Sequence, residues 1–309
     1  MDIDCVIVGG GAAGLSAALV LGRARRRILV VDAGGQSNLS APGIGGLLGS
    51  DGVPPAQLYA AGRAELRAYP SVDVRDGTVV DAVATGTGFE VGLANGTRVN
   101  TRRILLATGM EYRPPALPGL AQLWGGSVFH CPFCHGWEVR EQPLAVHGNG
   151  DRGVHSALLL RGWSDDVVLL TDGPAELDAE QRELLRAAGV VVEERPVAEF
   201  VGADGQLTEV VFTDGDRLPR HGLLVAAVLH QRSTLARQLG AEFNPPGPIA
   251  ADALKVDGFC RTTVPGVFAA GDVSAQMPQI AAAVSSGSLA GVAVMQTLMS
   301  EDFGLPLPL

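Results

Sequence analysis

Apolar residues come in short runs divided by glycine and proline. The first run, Asp4–Val8, reads as a strand that stops at Gly9-Gly10-Gly11-Ala12-Ala13-Gly14. An apolar helix starts over Leu15–Leu21, and a second strand, Ile28–Val31, ends at Asp32. Pro55–Ala68 has a helical pattern. Alternating segments follow from Val72 to Val99, with turns at Asp76-Gly77 and Asn95-Gly96. The strand Ile104–Ala107 runs into Thr108-Gly109, and Pro114, Pro115 and Pro118 read as a linker. The same strand, glycine turn, helix, strand order then recurs: Leu144–His147, Gly148–Gly153, Val154–Arg161 and Val167–Thr171. Shorter strands at Glu209–Thr213 and Leu223–Val228 precede a proline-rich break at 245–248. A buried strand leads into Gly271-Asp272. Pro278–Met295 reads as a helix of small residues, and Gly304–Leu309 as a loose tail.

Composition narrows this pattern. A chain of 309 residues has room for two domains, and 41 glycines with only 5% aromatics favour glycine-punctuated α/β units over an aromatic-rich sandwich. The net charge of −10 argues against a nucleic-acid partner held by general attraction. Arg23, Arg25, Arg26 and Arg27 fall where the first helix ends and are expected as a solvated, dipole-compatible cluster. No apolar run is expected to reach the ~18–20 residues of a membrane span, and the chain opens straight into a strand. Neither a membrane partner nor a signal segment is expected, and the location implied is cytoplasmic. Four cysteines make no disulfide framework. Cys5 reads as a buried strand residue and Cys260 as a bystander near a turn.

The chemistry centres on Cys131-Pro132-Phe133-Cys134, followed by His135. Two thiols at this spacing can close a disulfide across one turn, and the histidine can move protons near neutral pH. No second ligand pair follows at finger spacing, so no metal is expected. His135 is the candidate acid/base with His130 behind it; a helix-capping role is its alternative. Phe133 and Trp137 are expected as packing, with an apolar pocket for a small dithiol as the alternative. Gly9, Gly11 and Gly14 follow a strand and open a helix, and Asp32 comes eighteen residues after Gly14. That is the arrangement of a dinucleotide site, with backbone N–H groups toward the pyrophosphate and the acid on a ribose. A thiol pair lying between two such units suggests electrons moving between a dithiol and a flavin.

These motifs, with Ala107-Thr108-Gly109 and Ala269-Ala270-Gly271-Asp272, resemble the low-molecular-weight thioredoxin reductase family over essentially the whole chain. The fold implied is α/β, with two Rossmann-like dinucleotide-binding domains of three-layer ββα form. The FAD-binding domain would be built from 1–117 and 246–309. An NAD(P)-type domain at 118–245, carrying the CxxC, would be inserted in it. The resemblance also implies a homodimer. It places Gly9, Gly11 and Gly14 on the FAD pyrophosphate and Asp32 on the adenosine ribose. Gln36, Asn38, Thr108, Gly109 and Gly271 would lie against the cofactor. Asp272 would bind the ribityl chain, and Gln279 and Ile280 would lie near the isoalloxazine. Cys134 would face the flavin and Cys131 would exchange with substrate.

The chain departs from the reductases in three places. Leu169–Pro174 has no arginine or lysine for the 2′-phosphate of NADPH, His155 and Ser156 replace early helix acids, and His135 replaces the usual acid after the second cysteine. The longer string Cys131–Glu138 looks like the gliotoxin- and holomycin-type dithiol oxidases, and so do Gly46–Gly52 and Leu158–Ser164. One histidine frequent in that branch is replaced by Ile44-Gly45. The function implied is FAD-dependent closure of an intramolecular disulfide in a small sulfur-bearing product, with O2 as acceptor and H2O2 formed. NAD(P)H binding at Gly148–Gly153 stays open, with Asp172 as a candidate ribose acceptor for NADH. The rival readings are an NAD(P)H-dependent disulfide reductase and a flavoprotein that senses redox state without turnover.

Overall fold

Each of the two dinucleotide-type patterns folds as its own layered unit. The computed structural model describes residues 3–275 and 277–306. The chain starts with β1 (Ile3–Val8), α1 (Ala12–Arg23), β2 (Ile28–Asp32), α2 (Pro55–Leu66), β3 (Val72–Asp76), β4 (Val79–Ala84), β5 (Phe89–Leu93), β6 (Arg98–Leu106) and β7 (Met110–Arg113). It continues with α3 (Leu120–Leu123), β8 (Val128–Phe129), α4 (Pro132–His135), β9 (Leu144–His147), α5 (Gly150–Leu160), β10 (Val167–Leu170) and α6 (Ala179–Ala187). Then come β11 (Val191–Glu193), β12 (Val197–Ala203), β13 (Gln206–Phe212), β14 (Arg217–Pro219) and β15 (Gly222–Val225). The last elements are β16 (Val228–Gln231), α7 (Leu235–Gln238), β17 (Val267–Ala269) and α8 (Ile280–Phe303).

The first unit comprises residues 1–39, 53–112 and 228–309. Its sheet runs β3-β2-β1-β6-β5-β4, with β17 also on β6. β1 is parallel to β2 and β6, while β5 is antiparallel to both β4 and β6. Successive side chains of a strand face opposite ways. Cys5 and Ile7 therefore join a core with α1, α2 and α8, while Val6 and Val8 join a second core with β4, β5 and α7. Burial on both faces is why β1 and β2 read as unbroken apolar runs.

The second unit comprises residues 40–52 and 113–227. Its parallel sheet, β11-β10-β9-β15-β8, has a core with α5 and α6 on one face. On the other face it packs on the antiparallel sheet β12-β13-β14. Parallel strands, antiparallel strands that share a core with them, and helices recur in both units, as expected for the three-layer ββα class, though in the first unit β4 and β5 continue the one sheet.

The unit boundaries fall at 112/113 and 227/228 rather than at 117/118 and 245/246. The reason is β16, which pairs with β7 and ties its following segment to the first unit through Leu229 N–H to Ile249 O at 2.8 Å. Residues 40–52 also belong to the second unit, where Ser40 packs on Gly125.

Three further expectations are corrected. α8 runs on from Met295 to Phe303, because nothing breaks it until Gly304 takes the left-handed C-cap conformation, φ 63°. It is then long and apolar enough by composition to cross a membrane, contrary to the expectation that no such run exists. Its buried side, Ala283, Gly287, Ala290, Gly291, Val294 and Leu298, belongs to the core with α1. The arginine run is not simply solvated, since Arg26 donates to Asp302 at 2.8 Å and packs on the sulfurs of Met295 and Met299. Cys5 and Cys260 are both buried free thiols. In the tail, Leu305 is bonded back to Ser300, and 307–309 lie outside the described residues.

Candidate active site

The first glycine turn is shaped by backbone contact. A Cβ at Gly14 would lie 1.9 Å from the Gly9 carbonyl oxygen, so α1 closes on the turn only with glycine there. At Gly11, by contrast, a Cβ would meet nothing nearer than 3.7 Å. Gly11 is the N-cap of α1. No side chain caps that end, and its first turn carries no acid. N–H groups left open at a helix start favour an anion such as a pyrophosphate.

Asp32 closes β2 beside this turn and is buried. Burial pushes its carboxyl pKa up, but hydrogen bonds from Arg63, Gly34 and Gly10 and the Arg63 charge outweigh burial and hold it below the usual range. Arg63, on α2, contacts Asp32 Oδ2 at 2.5 Å, and Gln36 Nε2 donates to both carboxylate oxygens. Asn38 Oδ1 accepts from Tyr59 at 2.7 Å. Burial pushes the Tyr59 hydroxyl up to about 12. Thr108 and Gly109 follow β6, and Gly271-Asp272 follow β17, which lies parallel beside it. Tyr112 donates to Asp272 Oδ2 at 2.9 Å. Burial holds the Asp272 carboxyl above its ordinary value in spite of Tyr112 and Arg232. Gln279 and Ile280 form the start of α8, again with no side-chain cap. Every residue assigned to the cofactor by resemblance thus falls in one unit. An open helix start, a buried ribose-type acid and a second, half-buried acid fit FAD. Arg63, Tyr59 and Tyr112 were missed, because nothing local marks a long-range partner of an acid.

In the second unit Cys131 and Cys134 form a disulfide, with Cα atoms 5.4 Å apart. Cys131 caps the single turn α4, and both Cys134 and His135 donate their backbone N–H to its carbonyl at 3.2 Å. The His135 ring stacks on Phe129, centroids 5.8 Å apart, and its two ring nitrogens are buried without a hydrogen-bond partner. Burial lowers its pKa below the ordinary histidine value, opposed by the Glu138 charge. His130 stacks on Trp124 at 5.7 Å, and burial plus the neighbouring His135 take it down to about 4. Both imidazoles are therefore neutral at pH 7 and able to accept a proton. His135 does not cap α4, so the alternative role is not seen.

Phe133 and Trp137 were expected as packing, yet they are 60% and 66% exposed. Phe133 meets Trp163 edge-on, ring centroids 5.4 Å apart, and Arg140 lies over the Trp137 ring. A short turn cannot bury aromatics that flank a disulfide. One string singled out by the branch resemblance, and the residue just before the other, reach this turn. A Cβ at Gly45, just before the first, would lie 2.5 Å from the Cys134 carbonyl oxygen. A Cβ at Gly136 would lie 2.8 Å from the indole of Trp163, in the second.

The second glycine turn differs from the first. Asn149 is the N-cap of α5, and its Oδ1 accepts from Gly150 N–H at 2.9 Å and Glu176 N–H at 2.8 Å. Its Nδ2 donates to Thr171 and Pro174 carbonyls. Asp151 adds a negative charge in the first turn of α5. Asp172, the candidate ribose acceptor, accepts from Val197 N–H at 2.7 Å through Oδ1. Its Oδ2 lies 3.5 Å from His147 Nε2, without hydrogen-bond geometry. Among the described residues no group of three or more His, Cys, Asp or Glu is placed to hold a metal ion.

With this geometry in view, the sequence profile of pyridine nucleotide-disulphide oxidoreductases matches residues 3–287. The chain belongs to that family of disulfide oxidoreductases, and within it to the thioredoxin reductase-like proteins, which are flavoproteins. The thioredoxin reductase tcpT of Claviceps purpurea is 33% identical, over 97% of this chain and 95% of that protein. Among solved structures, HlmI is 37% identical with a TM-score of 0.90, covering 98% of this chain and 94% of that one. An oxidoreductase from Agrobacterium tumefaciens is 36% identical with a TM-score of 0.91, covering 97% and 99%. The likeness to the gliotoxin- and holomycin-type branch rests on tcpT and HlmI.

Proposed function

We propose that this protein is an FAD-dependent dithiol oxidase that closes an intramolecular disulfide in a small sulfur-containing product. Neutral His135, with His130 behind it, takes a proton from the substrate's first thiol. The thiolate attacks Cys131 Sγ, forming a mixed disulfide, breaking the Cys131–Cys134 bond and releasing Cys134 as a thiolate. The substrate's second thiol, deprotonated in turn, attacks its own bound sulfur. It leaves as a cyclic disulfide and frees Cys131. Two electrons and two protons have then passed from substrate to protein. Bound FAD would supply the onward chemistry, taking two electrons from the dithiol as the Cys131–Cys134 disulfide re-forms and passing them, with the two protons, to O2 as H2O2. Gly9, Gly11, Gly14 and Asp32 would hold the adenosine diphosphate part of the cofactor, and Asp272 its ribityl chain. A homodimer in the cytoplasm is part of this reading.

The observation that carries oxidase over reductase is the contrast between the two glycine turns. The first leaves its helix start open, whereas in the second Asn149 caps the helix with its own side chain and Asp151 adds a negative charge to the first turn. The intact β9-turn-α5-β10 unit favours the alternative, an NAD(P)H-dependent disulfide reductase. Oxygen-electrode and peroxide assays with a small dithiol test the proposal. One H2O2 per disulfide formed, with no nicotinamide present, is expected. Dithiol turnover that consumes no oxygen would contradict it.

A further inference from the structure

The three turns that would hold FAD in the first unit lie far apart in sequence: 32–36, 108–110 and 271–273. One dipeptide that no motif singles out touches all of them. β16 ends in Gln231, followed by Arg232. Arg232 Nε donates to the Met110 carbonyl at 2.9 Å, and its Nη1 donates to the Gly35 carbonyl. Gln231 Nε2 donates to the Val273 carbonyl at 2.9 Å, next to Asp272, and to the Asp252 carbonyl at 2.9 Å. Gly35 precedes Gln36, which donates to the carboxylate of Asp32. Met110 follows Thr108-Gly109 and opens β7, whose Tyr112 donates to Asp272.

We propose that Arg232, with Gln231, is a positioning residue of the flavin site, a clasp that sets the ribose turn, the Thr108-Gly109 turn and the Gly271-Asp272 turn at fixed separations before the cofactor arrives. The inference rests on the reading that this unit binds FAD. Holding contact groups in place beforehand removes the cost of ordering them on binding. A guanidinium suits the role because its fixed fork reaches two carbonyls in different directions, whereas a lysine ammonium on a flexible stem makes a single point contact. The positive charge of Arg232 also acts on Asp272, so its loss changes the field at the ribityl end of the site.

The test compares purified wild type with Arg232→Gln, Arg232→Lys and Gln231→Leu. FAD release is followed by the rise in flavin fluorescence during dilution, and the visible flavin band is recorded beforehand. Thermal unfolding of the deflavinated proteins is the structural control. Arg232→Gln is expected to release FAD about tenfold faster or more, from the loss of two charge-assisted hydrogen bonds. Its flavin band should be altered and its deflavinated form should melt close to wild type. Arg232→Lys should fall between the two, and Gln231→Leu, which spares the Arg232 bonds, should show a smaller increase. Release and spectrum equal to wild type in Arg232→Gln would overturn the clasp. So would faster release matched by an equal loss of stability in the deflavinated protein with an unchanged band. A wild type that holds no FAD would instead overturn the underlying flavin reading.

Discussion

His130 and His135 sit against aromatic rings, Trp124 and Phe129, that exclude water and keep both imidazoles uncharged at neutral pH. A base depressed in this way stays competent below the ordinary histidine value near 6.5. The acid limb of kcat/KM for a dithiol should therefore lie below pH 6.5, and His135→Gln should slow flavin reduction by the dithiol about 10²-fold. An unchanged rate in stopped flow would remove His135 from the mechanism. The sign for stability follows from the same depression. As pH falls, the unfolded chain protonates His130 first, near 6.5, while the folded chain resists until about 4. Stability is whole above about 6.5 and is lost toward pH 4, by roughly 3 kcal/mol. Melting curves between pH 7 and 4.5 should show a flatter profile in His130→Gln. At this scale the sequence was most informative where chemistry is local. Cys131, Cys134 and His135 lie within five residues, and Asp32 is fixed by its distance from Gly14. Arg63, Tyr112 and Arg232 were not legible, because a partner reached across the fold leaves no spacing to read.

α4 is a single turn, too short to hold its own shape. Pro132 at its first position sets one backbone angle. Further support comes from loop 40–52 at Cys134, from Trp163 at Phe133 and Gly136, and from Phe129 at His135. Gly45→Ala should therefore act on the redox turn although it lies far away in sequence. Displacing the Cys134 carbonyl should cost about 1–3 kcal/mol as an overpacked contact and slow reduction of the disulfide by dithiothreitol. Wild-type melting and reduction rates would show that loop 40–52 does not support the turn. The strings at 46–52 and 158–164 were recognisable as a resemblance, but the places of Gly45 and Trp163 at the redox turn were not. Convergence on one turn is a tertiary fact with no periodic signature. Element type was readable wherever a run was buried on both faces, as in β1 and β2. The end of α8 was not, because small residues continue a helix as quietly as they leave it.

Across the first unit, α8 packs along α1 at glycines. A Cβ at Gly287 would lie 2.1 Å from the Ala13 carbonyl, inside the first glycine turn's helix. The far end of α8 is held by Arg102 and Arg103 through Glu301 and Asp302. Gly287→Val should push α1 off its seat, lowering stability by about 2 kcal/mol or more and weakening FAD retention, as denaturant unfolding and flavin content would report. Retained flavin and stability would mean that the α1–α8 contact does not set the turn. The repeat of two dinucleotide-type units was visible from strand-turn-helix order alone. Their boundaries were not, because β16 returns to β7 across more than a hundred residues.

The central claim is that electrons enter from a small dithiol and not from a nicotinamide. Anaerobic mixing of the flavin-loaded protein with NADPH, NADH or a small dithiol, watched at the visible flavin band, tests it most directly. Rapid bleaching by the dithiol alone, with the colour and one equivalent of peroxide returning on admission of air, is the predicted result. Rapid bleaching by NADH or NADPH would contradict it and make the protein a reductase.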